Sequence, residues 1–103
     1  MKPLPIKKQI EVLEELLQTW DIRGMCDHLY YILTKKYRWQ CGDTISDYIP
    51  SFTHYNYLHF YSSIKVIQKR EKCRYWDSYT IFGNLRRRWF VRHLIKELEK
   101  QLL

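Results

Sequence analysis

The pattern that most limits what this chain can become lies near its carboxyl end. From Asn84 onward, Leu85, Trp89, Leu94, Ile95, Leu98 and Leu102 recur mainly at steps of three or four, while Lys96, Glu97, Glu99 and Lys100 take the polar side. That period predicts one long amphipathic helix, and its apolar face must be covered by other elements. Gly83 suits a turn and Asn84 an N-cap, so the helix is predicted to begin there. At the other end, Pro5 precedes Ile6, Ile10, Leu13, Leu16, Leu17 and Trp20, again at helical steps. Glu11, Glu14 and Glu15 fall on the opposite, wet face of that helix.

The middle of the chain supplies further helices. Asp21 reads as an N-cap for a segment whose apolar face is Met25, Leu29, Ile32 and Leu33. Gly24, early in it, admits a close neighbouring backbone. Lys35, Lys36 and Arg38 stand near its end, where cations suit the helix dipole. Thr44 or Ser46 heads a short helix carrying Ile45, Tyr48 and Ile49, just before Pro50. The stretch FTHYNYLHFYSSIKVI carries both periods: Tyr55, Tyr57 and His59 alternate, whereas Leu58, Tyr61 and Ile64 keep helical spacing. Helix is the preferred reading there, and residues 68–74 form a charged connector or helix end. With 103 residues, 46 % of them hydrophobic, and only three glycines and three prolines, the chain is expected to be a single domain spanning 1–103. The expected fold is mostly α, a small bundle of four or five helices with an aromatic-rich core and a long C-terminal helix.

Charge is unevenly placed. Residues 1–50 hold seven basic and seven acidic side chains, so the whole formal excess of +7 falls in residues 51–103. Concentrated positive charge points to an anionic partner: a nucleotide, a nucleic acid or an acidic protein. No apolar run approaches the roughly 20 residues that span a bilayer, and the amino end has no signal-peptide core. No membrane partner and a cytoplasmic location are therefore expected. Three widely spaced cysteines, Cys26, Cys41 and Cys73, read as reduced thiols.

The sharpest local feature is Arg86-Arg87-Arg88, set directly before Trp89-Phe90. Successive helical residues are about 100° apart, so the three arginines fan around the helix. Arg88 and Arg92 share a face, which Lys96 continues. Arginines near a helix start oppose the dipole unless an anion or a carboxylate accompanies them. Anion binding is the functional reading, and a solvated face paired with Asp77 or with the acids of the first helix is the structural one. Arg74, Tyr75, Trp76 and Tyr79 lie just upstream: Trp and Tyr rings stack on nucleobases, yet in small domains they more often fill the core. The expected ligand contacts are Arg74, Tyr75, Trp76, Tyr79, Arg87, Arg88 and Arg92. The nine tyrosines exceed what a dry core of this size needs, which suits a homo-oligomer that shares a pocket or a ring of wet hydroxyls.

Catalysis has no comparable signature. His54, His59 and Asp47 make no recognised constellation, and no GxSxG, P-loop or paired HxT/S motif is present. Among the cysteines and histidines no CxxC or HxxxH spacing occurs, so no metal and no cofactor is expected.

The order of a Gly24-Met25-Cys26 helix start, the Tyr75-Trp76 pair and Arg87 followed by Phe90 resembles a set of short, uncharacterised tailed-phage proteins. Those proteins pair a Gly-x-Cys helix with a Tyr-Trp turn and a terminal Arg-x-x-Phe helix, and often have Phe-Pro where this chain has Asp77-Ser78. The resemblance brings no activity and no functional residues. It implies a phage accessory protein acting in the bacterial cytoplasm, where analogy suggests a counter-defence role. The reading preferred from the sequence is non-catalytic sequestration of an anionic nucleotide signal in an Arg/aromatic pocket. The alternatives are a basic module that binds nucleic acid or blocks a host defence protein, and a nucleotide-cleaving enzyme.

Overall fold

The structure, a computed structural model, describes residues 2–38, 42–63 and 81–103. Within them the chain forms five helices and is mostly α, as the periodicity predicts: α1 (Ile6–Gln18), α2 (Met25–Tyr37), α3 (Ile45–Tyr48), α4 (His54–Ser63) and α5 (Ile81–Lys100). α1 packs along α5, α2 along α1, α4 against α5 and α3 against α2. The long C-terminal helix is thus the shared wall of the bundle.

α1 begins at Pro5, whose carbonyl accepts the amides of Lys8 and Gln9. Ile10, Val12, Leu13 and Leu16 bury its inner face. Gln9 is buried with them because its Nε2 donates to the Leu4 carbonyl at 2.7 Å, and Leu4 in turn donates its amide to the Tyr48 carbonyl. That tie carries the amino-terminal strand of chain onto α3. The acids expected on the wet face stay near water: Glu11 meets Lys8 at 3.3 Å and Glu15 reaches Lys36 of α2 at 2.6 Å.

α3 is short but well begun. Thr44 and Asp47 form a reciprocal capping box, in which the Thr44 amide donates to Asp47 Oδ2 at 2.8 Å. Asp43 accepts from Lys2 and from the Tyr48 hydroxyl, each at 2.7 Å, and so staples the amino terminus to this helix. Thr53 performs the N-cap role for α4, its hydroxyl accepting the Asn56 amide at 3.0 Å. The ambiguous stretch therefore resolves as helix through Ser63, and a threonine cap at its head is the local reason.

The aromatic core gathers on Phe90. Tyr57 meets its ring edge-on with centroids 5.2 Å apart, and Phe60 and Phe52 approach at 5.8 and 6.0 Å. Around this cluster lie Leu13, Leu16, Ile22, Leu29, Leu33, Ile49 and Val91, all nearly without solvent contact.

Four sequence expectations need correction. Asn84 is not the cap of the last helix: α5 already runs from Ile81, and Asn84 is buried inside it. Asp21 does not cap α2, which starts at Met25 with Gly24 in the cap position. Asp21 instead accepts the Arg23 amide and binds its guanidinium at two nitrogens, 3.0 and 2.6 Å away. That fork holds the Asp21 carboxyl well below the usual carboxylate range. Gly24 is not a site of close backbone approach, since an added Cβ would meet nothing nearer than 3.8 Å. On α5 the expected apolar face is buried at Leu94, Ile95 and Leu98, but it does not extend to Trp89. Trp89 is about half exposed, whereas Arg86 and Arg88 are buried.

Candidate functional site

Burying Arg88 is possible because of where α1 ends. The last carbonyls of a helix have no partners within it, and they form the negative end of its dipole. Arg88 Nη1 donates to the carbonyls of Thr19 and Trp20 at 2.7 and 3.2 Å, and Nη2 donates to that of Leu17 at 2.9 Å. Its guanidinium also lies against the Trp20 ring, 4.9 Å from the centroid. Burial, and next the charge of Arg92, pull the Arg88 guanidinium below its ordinary value, though arginine stays charged. One turn earlier on the same helix, Asn84 accepts the Ile22 amide at 2.7 Å and donates to the Trp20 carbonyl at 2.9 Å. Arg88 and Asn84 together close the end of α1 and fix the turn that leads to α2.

Arg87 faces elsewhere. It lines a cleft of about 430 Å³ at the meeting point of four helices. Met25 and Cys26 from α2, Thr44 to Ser46 at α3, Phe52 to His54 and Tyr57 at α4, and Phe90 from α5 complete the wall. The lining is mostly apolar and aromatic, with the Arg87 cation, the Cys26 thiol, the His54 imidazole and the hydroxyls of Thr44, Ser46, Thr53 and Tyr57 set into it. A site of that size and character suits a small ligand with one apolar and one anionic part. Burial pushes the Cys26 thiol up and Asp27 adds to the effect, while the Arg87 cation acts the other way. A thiol kept protonated is the opposite of what an attacking thiolate needs.

The seven expected ligand contacts are therefore divided. Arg87 lines the cleft, Arg88 is bound to the main chain of α1, and Arg92 is exposed on the outer face of α5. Arg74, Tyr75, Trp76 and Tyr79 lie outside the described residues, as do Cys41, Cys73 and Asp77. Of the remaining lining residues, the sequence offers only Tyr57 as one that could line a pocket. Thr44 and Thr53 were legible as cap or polar residues, but nothing in a linear pattern reports that three helix starts converge.

A second cleft of about 440 Å³ lies between α4 and α5, lined by Ser51, Asn56, His59, Phe60, His93, Leu94 and Glu97. His93 stacks on Phe60 and His59 on Tyr55, with centroids 5.0 and 6.2 Å apart. Among the described residues no three His, Cys, Asp or Glu side chains gather as a metal site requires, and no helix is long and apolar enough to cross a membrane. The chain matches no protein-family model, no curated protein and no solved structure.

Proposed function

We propose that this protein binds a small nucleotide-type anion without transforming it, and that it holds the ligand in the cleft at Arg87. The observation that carries the reading is an arginine set into an aromatic-lined cleft of about 430 Å³. In this reading the guanidinium forks onto a phosphate, and Phe52 or Tyr57 packs against the base. Thr44, Ser46 and Thr53 offer hydroxyls to the sugar or the remaining phosphate oxygens. Arg74, Tyr75, Trp76 and Tyr79 stay in the proposal on the sequence argument alone, and so does sharing of the pocket in a homo-oligomer. With the tailed-phage resemblance added, the ligand is a soluble bacterial defence signal and the protein is its sponge.

Native mass spectrometry of the purified protein with a bacterial nucleotide extract tests this directly. A discrete adduct is expected, and Arg87→Ala should weaken it by about tenfold or more, the size of a lost charged hydrogen bond. If no nucleotide adds mass or raises the melting temperature, the proposal fails. Conversion of the bound nucleotide to a product would replace it with the enzymatic alternative.

A further inference from the structure

A second surface draws on residues the cleft does not use. Trp20 is 59 % exposed and Trp89 48 %, large values for the two tryptophans that flank Arg88. One acts through its ring and the other is its neighbour in the chain. Trp20 is not a loose side chain. Its ring rests on a buried guanidinium that three main-chain carbonyls hold in place, so it is fixed as a platform with its far side open. Arg92 and Lys96 follow at steps of one helical turn along the outside of α5, both exposed.

We infer that Trp20, Trp89, Arg92 and Lys96 form a binding surface for single-stranded nucleic acid. Aromatic platforms beside a row of cations are what an unpaired strand needs: bases stack on the rings and phosphates lie against the charges. Such stacking tolerates any base, so binding has little sequence preference. A duplex keeps its bases stacked on one another and offers the tryptophans nothing comparable. Charge complementarity favours a polyanion over a second, equally basic copy of this chain, whose formal charge is +7.

Fluorescence anisotropy of a labelled oligothymidylate, titrated with the full chain at low and moderate salt, tests the inference. Saturable binding is expected to fall steeply with salt. The double variant Arg92→Ala/Lys96→Ala should reduce the log–log salt slope by about 1 to 1.5, since each neutralised phosphate on a single strand contributes about 0.7. Trp20→Ala should weaken binding by about tenfold. Because Trp20 also covers Arg88, the melting temperature of each variant is measured alongside, and the exposed Arg92/Lys96 pair keeps the test decisive if Trp20→Ala unfolds. Control substitutions Lys7→Ala/Lys35→Ala remove equal charge from other helices and should leave the slope nearly intact. The inference is overturned if no binding occurs at low salt, or if the control pair lowers the slope as much as Arg92/Lys96. It is also overturned if a duplex or polyglutamate binds as tightly as the single strand. Concentration-dependent dimerisation abolished by Trp20→Ala would assign the same surface to self-association and would equally sink it.

Discussion

Arg87 and Arg88 are neighbours in the chain and stand in two unlike regions. Arg88 sits in the seam between α1 and α5, where its donors meet three carbonyls and its plane meets a tryptophan. Arg87, about 100° further round the helix, lines an open cleft among side chains. The seam uses an arginine as a fixed part of the backbone hydrogen-bond network. The cleft takes its neighbour as one part of a lining made of side chains. Residue type is the same in both, and what differs is which helix end the guanidinium meets.

The largest expected effect would break this contrast outright. Arg88→Ala removes every charged donor from the end of α1 and should cost about 3 kcal/mol in urea unfolding. Arg88→Lys should recover less than half, since one ammonium cannot reproduce the fork. A loss below about 1 kcal/mol for Arg88→Ala would mean that the seam does not hold the end of α1. A smaller effect sharpens the seam alone. Asn84→Ala strands the amide of fully buried Ile22 and leaves the Trp20 carbonyl with only its longer bond from Arg88, and should cost about 2 kcal/mol by the same measurement. A loss no greater than that of an exposed surface substitution would show that water replaces Asn84 there.

The smallest effect concerns the turn that the seam holds. Asp21 is depressed in the folded protein by the Arg23 side chain first and the Arg23 amide next. A carboxylate lowered by folding binds its proton more readily in the unfolded chain. Its contribution is therefore complete above the unfolded value of about 3.9 and is lost as pH falls toward the lower folded value. Asp21→Asn should thus lower the urea midpoint slightly at pH about 7, and the gap from the parent should shrink below pH about 4. A gap that stays constant through the acid range would show that the Asp21 carboxylate charge has no part in holding the turn.

The helices were legible because each has a one-dimensional signature. Ile10, Leu13 and Leu16 in α1, and Leu29, Ile32 and Leu33 in α2, repeat at helical steps and are buried as that period requires. The start of α3 was legible as Thr44 or Ser46, and the capping box with Asp47 assigns it to Thr44. The seam was not legible. Asn84 looks like a cap in any linear reading, since the same amide group that closes a helix also bridges two distant loops. Arg88 looks like surface for a similar reason: guanidinium burial becomes tolerable only when several carbonyls converge, and those belong to residues 17, 19 and 20. Trp89 was expected inward for its apolarity, yet the positions facing α1 were already taken by Asn84, Arg88 and Val91 at steps of four and three. Of the candidate site, the arginine run itself is plain in the sequence, but which member lines a cleft depends on helix packing.

Asn84 and Arg88 reach residues 62 to 71 positions away to complete the first helix. Until α5 docks, the carbonyls of Leu17, Thr19 and Trp20 have only water, and the turn at Ile22 has only the local Asp21–Arg23 fork to hold it. Local order at the amino end is thereby made conditional on closure of most of the chain into one loop, which is entropically the slow kind of contact to form. α1 and α5 should gain or lose their structure as one cooperative unit, with the seam as the bond that makes the earlier-synthesised helix wait for the later one.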